Sequence, residues 1–419
     1  MSDPRPTRLF PLRTVVFGGL VPSFVFSLGV GAMLPIIAPY AVGQGASLAM
    51  AGVVAAMLPV GQIIADVPAG ALAAKIGDRA AMLLAAFAAA LGFLAAAAAP
   101  SPLTLGGAIL LVGAANSVFQ LARPSYLTEV TPLAHRARVL STLGGAMRLG
   151  QFLGPFLGAL VIHSGELRVV FLVALATAVL AGLVVAFSGV GAAKTADGGD
   201  GAGEHQGSEN TAARRSLREV FVSQRRLFAT LGAAVVLIGC LRGARQQVIP
   251  LWGEHIGMDP TTISLIFGIA GGIDVLMFYP AGKIMDHFGR LWLAAPAMLM
   301  LGAATAALPL TSTAGQMTLV AMLIGLGNGL GSGILMTVGA DVAPADARPQ
   351  FLGLWRLMQD SGLAIGPLLL SAGAALGSLA AGVLVTASMG PLASAALARW
   401  LPQFSAQASR RTRRHAGLG

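Results

Sequence analysis

The sequence predicts an all-α membrane protein of twelve transmembrane helices arranged as two related bundles of six. Three observations carry that expectation. Of 419 residues, 56% are apolar and only 11% are charged, with a mean hydropathy of +0.78, whereas soluble domains carry about 25% charged residues. Apolar stretches of about 20 residues, enough to cross a hydrocarbon core of roughly 30 Å as a helix, recur along almost the whole chain. They are continuously apolar rather than alternating, which argues against the strands of a β-barrel. Third, the phrase "VPAGALAAKIGDR" at residues 67–79 returns as "YPAGKIMDHFGR" at 279–290, 212 positions later when Pro68 is set on Pro280.

The elements follow in order. Residues 1–13 put basic groups ahead of an apolar run, as a secretory leader does. The run is too long and lacks a small-residue cleavage site, so it reads as a retained first helix behind a cytoplasmic N-terminus. Spans one to six are expected at 14–40, 47–73, 80–100, 103–123, 138–162 and 167–190. Residues 191–225, polar and glycine-rich over most of their length, read as a flexible cytoplasmic linker. The stretch Ser216-Leu-Arg-Glu219 has the spacing of a capping box that would open a short interfacial helix. Spans seven to twelve are expected at 226–250, 261–282, 291–310, 314–340, 350–374 and 378–401, ahead of a basic cytoplasmic tail at 402–419. The two halves are therefore 14–190 and 226–401. Cys240 is the single cysteine, which excludes an internal disulfide and makes packing its expected role.

The net charge of +10 would suit a nucleic-acid partner, but the placement of the basic residues assigns it to the membrane surface. Of 27 Lys and Arg, 23 fall at the termini or at the even-numbered turns, leaving Arg148, Arg168, Arg242 and Arg245 as the exceptions. By the positive-inside rule both termini are cytoplasmic, as an even number of spans requires. The tail "RRTRRH" at 410–415 is expected to meet solvent and lipid headgroups, and no nucleic-acid role is read. Twenty-four Arg against three Lys in an Ala- and Gly-rich chain point to a GC-rich bacterial source and hence to the inner membrane.

The 212-residue offset also joins Asn116 to Asn328, Glu129 to Asp341, Pro132 to Pro344, Arg136 to Arg348, and Gly154-Pro155 to Gly366-Pro367. Duplicated bundles are the usual architecture of secondary transporters. At this point the chain resembles the major facilitator superfamily. Its signature turn is matched by Gly282, Asp286, Gly289 and Arg290 between spans eight and nine, and by a worn copy, Gly70, Gly77, Asp78 and Arg79, between two and three. The companion acid-x6-Arg phrases are Glu129 to Arg136 and Asp341 to Arg348. The resemblance implies two bundles rocking about a central cavity lined by spans one, four, seven and ten, with these turns as gates. Ala74 stands where the family pattern has Asp, which leaves Asp78 or Asp66 to supply an ionic latch in that half. The glycines themselves would let neighbouring helices approach closely.

Span five carries "GQFLGPFLGA", in which Gly150, Gly154, Pro155 and Gly158 are similar to a motif of the antiporter branch. Glycines at four-residue spacing cut a groove for close helix contact, and the proline bends the helix. Span eleven repeats Gly362, Gly366 and Pro367, so part of the signal is duplicated scaffold. The Arg that drug antiporters carry in span four is missing from "LVGAANSVFQ".

Ionisable groups at membrane depth are costly and therefore functional candidates. Five stand out: Asp66, Arg148, Asp274, Arg356 and Asp360. Asp66 and Asp274 each lie nine residues from the lysine of the adjoining turn, Lys75 and Lys283, which places them at one depth, roughly 14 Å in. Asp66 and Asp274 differ by 208 positions, as do Arg148 and Arg356. The resemblance sets span two against eleven and five against eight, so two ion pairs across the halves are expected, Asp66 with Arg356 and Asp274 with Arg148. They would either hold the bundles together or carry protons. Asp360 can pair with Arg356 one turn away or act as the proton site itself. Arg242 and Arg245, with Gln246, are read as interfacial side chains near the outer end of span seven, with an anion-attracting mouth as the alternative. Asn116, Gln120 and Asn328 are the polar candidates for the cavity wall.

The sequence contains no phosphate-binding loop, His-Glu-x-x-His, Cys-x-x-Cys or Gly-x-Ser-x-Gly, so an ATP-driven pump, a metal site, a cofactor and an enzyme are not expected. The resulting expectation is a monomeric, proton-coupled exporter of small amphipathic compounds. Symport or uniport of organic anions is the alternative, and a transport-dead sensor of the same fold is a third reading.

Overall fold

A computed structural model describes residues 12–162, 165–188, 216–409 and 412. Among these every regular element is helical. Eleven helices are long and apolar enough to cross a membrane. They are α1 (Leu12–Gly43), α2 (Leu48–Ile76), α3 (Asp78–Ala97), α4 (Pro102–Val130), α5 (Leu133–Ile162), α6 (Arg168–Phe187), α7 (Arg225–His255), α8 (Pro260–Phe288), α9 (Arg290–Leu310), α10 (Ala314–Val342) and α12 (Leu379–Phe404). The expected eleventh span, α11 (Arg348–Ala375), is 28 residues long. It is less apolar than the others because Arg356, Gln359 and Asp360 interrupt it. The capping box is formed as read: the Ser216 hydroxyl accepts from Glu219 N at 3.2 Å and Glu219 accepts from Ser216 N at 3.0 Å, opening a helix at Leu217–Ser223. The rest of the proposed linker, and residues 410–411 and 413–419 of the tail, lie outside the described residues.

Packing reproduces the repeat. In the first half α1 packs on α5 and α6, α2 on α4, and α3 on α4 and α6; in the second, α7 packs on α11 and α12, α8 on α10, and α9 on α10 and α12. Across the halves α2 meets α11 and α5 meets α8, as the resemblance implied. The antiporter-like glycines are part of this scaffold. A Cβ on Gly150 would sit 2.5 Å from Phe24 O and one on Gly158 3.2 Å from Ala32 O, both in α1. Gly362 and Gly366 are pressed in the same way against Val236 and Cys240 of α7. Such close approach maximises dispersion contact where lipid removes the hydrophobic drive.

The two signature turns are single glycines, Gly77 (φ 83°, ψ 154°) and Gly289 (φ 99°, ψ 162°), a conformation essentially confined to glycine. Their surroundings differ. At the second turn Gln407 O and Ala408 O accept from the N–H groups of Arg290 and Leu291 at 3.2 and 2.9 Å. The chain after α12 thereby caps the α9 N-terminus. Among the described residues nothing comparable lies on Gly77.

Candidate functional site

The charged residues of the middle layer divide between the two seams at which the halves meet. At the α2–α11 seam, the carboxyl group of Asp360 lies within interaction distance of that of Asp66. Asp66 also accepts a hydrogen bond from the Ser117 hydroxyl of α4. Arg356 donates to Asp360 at 3.3 Å within α11. The intrahelical pair was expected; the Asp66–Arg356 pair was not formed, because Asp66 meets the other acid instead.

At the α5–α8 seam the guanidinium of Arg148 lies over the Phe278 ring, 3.9 Å from its centroid. Asp274 is not bonded to Arg148 but to Arg245 of α7 at 3.1 Å, and it accepts from Asn328 Nδ2 of α10 at 2.7 Å. Arg148 remains within electrostatic reach of Asp274 and Arg245. The physical reason for both corrections is register. Phe278 stands 212 positions after Asp66, and Asp360 stands 212 after Arg148, so the two seam contacts are one contact repeated. The 208 spacing of Asp66 with Asp274 places them one turn apart relative to that register.

Arg242 and Arg245 also need correcting. They are not interfacial: Pro250 lies inside α7, which runs on to His255, so both arginines fall at mid-helix depth. Arg242 donates to Gly331 O, where α10 breaks between Leu330 and Ile334 with Gly333 at φ 82°. Arg242 Nε, Arg245 Nε and Asp274 Oδ1 are buried without hydrogen-bond partners. Gln246 is half-buried beside them on α7, and Gln120 is half-buried on α4. Asn116 is buried, and its neighbour Ser117, which has no charge to advertise it in the sequence, makes the contact to Asp66. Arg123, counted among the turn residues, is 1% exposed, stacked on Phe119 and bonded to Phe119 O at 2.8 Å.

The gating phrases separate by half. Arg290 pairs with Asp341 at 3.1 Å, their side chains 10% and 19% exposed. The mates of these residues are Asp78 and Glu129, both acidic, and they border an open cleft with Gly70, Ala74 and Gly77. Arg79 turns away to Ala186 O at 2.8 Å, and Arg136 Nε donates to Thr131 O at 3.1 Å. Asp66 is engaged at the α2–α11 seam by Ser117. Arg348 begins α11, and the side chain of Asp286 lies outside those described.

The seams are closed at the end away from the signature turns. There Gly52 of α2 packs on Ser371 of α11, and Gly268 and Gly272 of α8 pack on the rings of Phe156 and Phe152 of α5. On the turn side the same helix faces have open space: Gly70 one turn past Asp66, Gly353 two turns past Asp360, Gly144 one turn past Arg148, and Gly282 one turn past Phe278.

The sequence matches the Major Facilitator Superfamily over residues 20–367 and 248–408. The chain belongs to that superfamily. A curated relative, the uncharacterized MFS-type transporter YfkF of Bacillus subtilis (strain 168), is 30% identical over 158 residues, which is 37% of this chain and 40% of the relative. The match thus spans about two fifths of that protein's length. Among solved structures, the nucleoside transporter NupG superposes with a TM-score of 0.72 at 14% identity, covering 93% of this chain and 100% of that one. A bacterial homolog of the human lysosomal transporter Spinster, inward-facing and unoccupied, gives 0.71 at 14% identity, covering 93% and 98%. A POT family transporter in complex with a thioalcohol-conjugated peptide gives 0.73 at 12% identity, covering 94% and 96%. These likenesses show the fold. The protein is accordingly a multi-pass member of the major facilitator superfamily, whose members are transporters rather than enzymes.

Proposed function

We propose that this superfamily member is a proton-coupled secondary transporter of small molecules that works by alternating access in a bacterial inner membrane, as a monomer with both termini cytoplasmic. On that topology the signature turns are cytoplasmic and the cavity is inward-open. The observation that carries proton coupling is the carboxyl–carboxyl contact of Asp66 and Asp360 across the α2–α11 seam. Two carboxylates held this close repel each other, so the pair favours holding one proton between them. Because the acids belong to different halves, rocking separates them, and each is then free to exchange its proton with the side that is open.

The antiport direction expected from span five has lost its specific support, because the same glycine groove serves α7 and α11. Export of small amphipathic compounds is therefore one arm of the test rather than its premise. Purified protein in liposomes loaded with a pH-sensitive dye, challenged with lipophilic cations and organic anions, should move protons in response to one class. D66N and D360N should abolish that signal while leaving substrate counterflow intact. Proton movement undiminished in both variants would refute the assignment.

A further inference from the structure

The α5–α8 seam carries a charge imbalance that the proton pair does not use. Arg148, Arg242 and Arg245 gather around one carboxylate, Asp274, each guanidinium within electrostatic reach of the others and of that acid. This leaves a surplus of two positive charges at mid-membrane depth. Such a surplus is costly in a low-dielectric layer unless a counter-charge arrives. The structure has the donors to receive one. Arg148 is held by an aromatic face rather than by any carboxylate, and Arg242 Nε and Arg245 Nε are buried and unpartnered. The α2–α11 seam cannot neutralise the cluster, because two carboxyl groups sharing a proton opposite Arg356 are themselves balanced.

We propose that the cavity binds a small organic dianion, with carboxylate or phosphate oxygens bridging Arg148 of the first half to Arg245 of the second. This rests on the transporter reading above and names its substrate class. Guanidinium forks match carboxylate and phosphate oxygens in bidentate fashion, and a dianion would cancel the surplus of two. The bridge also explains selection. A dianion held by both halves draws α5 toward α8 on the turn side, where Gly144 and Gly282 have room. A neutral analogue satisfies neither arginine and leaves the cavity open. Arg242, tied to Gly331 O at the break in α10, contributes field from a fixed position and links the site to a cavity-lining helix.

The test is binding to detergent-purified full-length protein, followed by thermal unfolding and calorimetry. Succinate, glutarate, glycerol phosphate and inorganic phosphate are compared with dimethyl succinate, glycerol and tetraphenylphosphonium; the dicarboxylate and phosphate arms separate the two oxyanion sources. At least one dianion should bind saturably and raise the unfolding temperature, and its neutral counterpart should not. R148M should weaken that binding by about tenfold or more, and R168M, at an exposed pair with Glu166, should leave it unchanged. R245M exposes Asp274 to an unpaired burial and can fail to fold; R245M/D274N removes both charges together, and it should fold and still bind weakly. Binding by the neutral or cationic probes alone, binding by none of the dianions in protein with a normal unfolding transition, or full affinity in R148M would each overturn the proposal. Proton coupling is read independently by D360N in liposomes, so either inference can fail while the other stands.

Discussion

The α2–α11 and α5–α8 seams are the same contact built twice and filled with opposite chemistry. Residues 66 and 278 occupy one position of the repeat, and 148 and 360 the other. One seam sets Asp66 against Asp360; its mate sets Phe278 against Arg148. The backbone scaffold around them is conserved between the halves, down to the glycine grooves and the single-glycine turns. The difference teaches that duplication preserved what helix packing demands and left the side chains at the seam free to diverge, two acids on one side and an arginine over an aromatic ring on the other.

The largest expected effect comes from removing one acid at each seam. D274N takes away the one carboxylate among the described residues that faces three guanidiniums and should lower stability by about 3 kcal/mol, as for a broken buried pair. D360N takes away the carboxyl paired with Arg356, which is half exposed, and its amide can donate to Asp66. Its stability should stay within about 1 kcal/mol of the parent. Thermal unfolding of the two variants side by side checks this, and equal losses would mean that the seams are not chemically distinct.

Much of the architecture was legible because membrane helices declare themselves by length and apolarity, and because a 212-residue repeat is visible without coordinates. The capping box at Ser216 and the glycine turns were legible for the same reason: each is a local rule written in adjacent residues. The pairing of Asp274 was not. Spacing gives depth along a helix, but rotation about its axis decides which of several arginines at one depth is met, and Arg245 and Arg148 share that depth. Arg245 was misplaced because Pro250 reads as a helix end, whereas neighbouring helices can support a proline inside a transmembrane segment. Ser117 carries no sequence signal at all, since a serine in an apolar helix usually bonds its own backbone.

A second comparison concerns how the seams close at the far end. Gly52 meets the buried hydroxyl of Ser371, which is itself bonded to Pro367 O at 2.9 Å, whereas a Cβ on Gly272 would stand 2.7 Å from the Phe152 ring. G52A should therefore cost about 1–2 kcal/mol, because the new methyl pushes the Ser371 hydroxyl off its buried acceptor. G272A should cost about 1–2 kcal/mol of the closed form, as overpacking does, and shift the population toward opening at that end. Distances between spin labels placed on α5 and α8 would report it. Identical distance distributions in the two variants would show that the aromatic packing does not hold this end shut.

The most diagnostic substitution has the smallest effect on stability. F278D puts at the α5–α8 seam the acid that Asp66 supplies at the mate position, directly beneath Arg148. The new ion pair gains Coulomb energy but loses the cation–π contact and the solvation of a carboxylate, terms of opposite sign and similar size. Net stability should move by no more than about 1 kcal/mol. The charge surplus, however, falls from two to one, and Arg148 acquires a resident partner that competes with any dianion. Affinity for the best-binding dianion should fall by about tenfold, and the proton signal through Asp66 and Asp360 should survive wherever transport is still measurable. If instead F278D binds dianions as the parent does, the two seams differ in composition without differing in task.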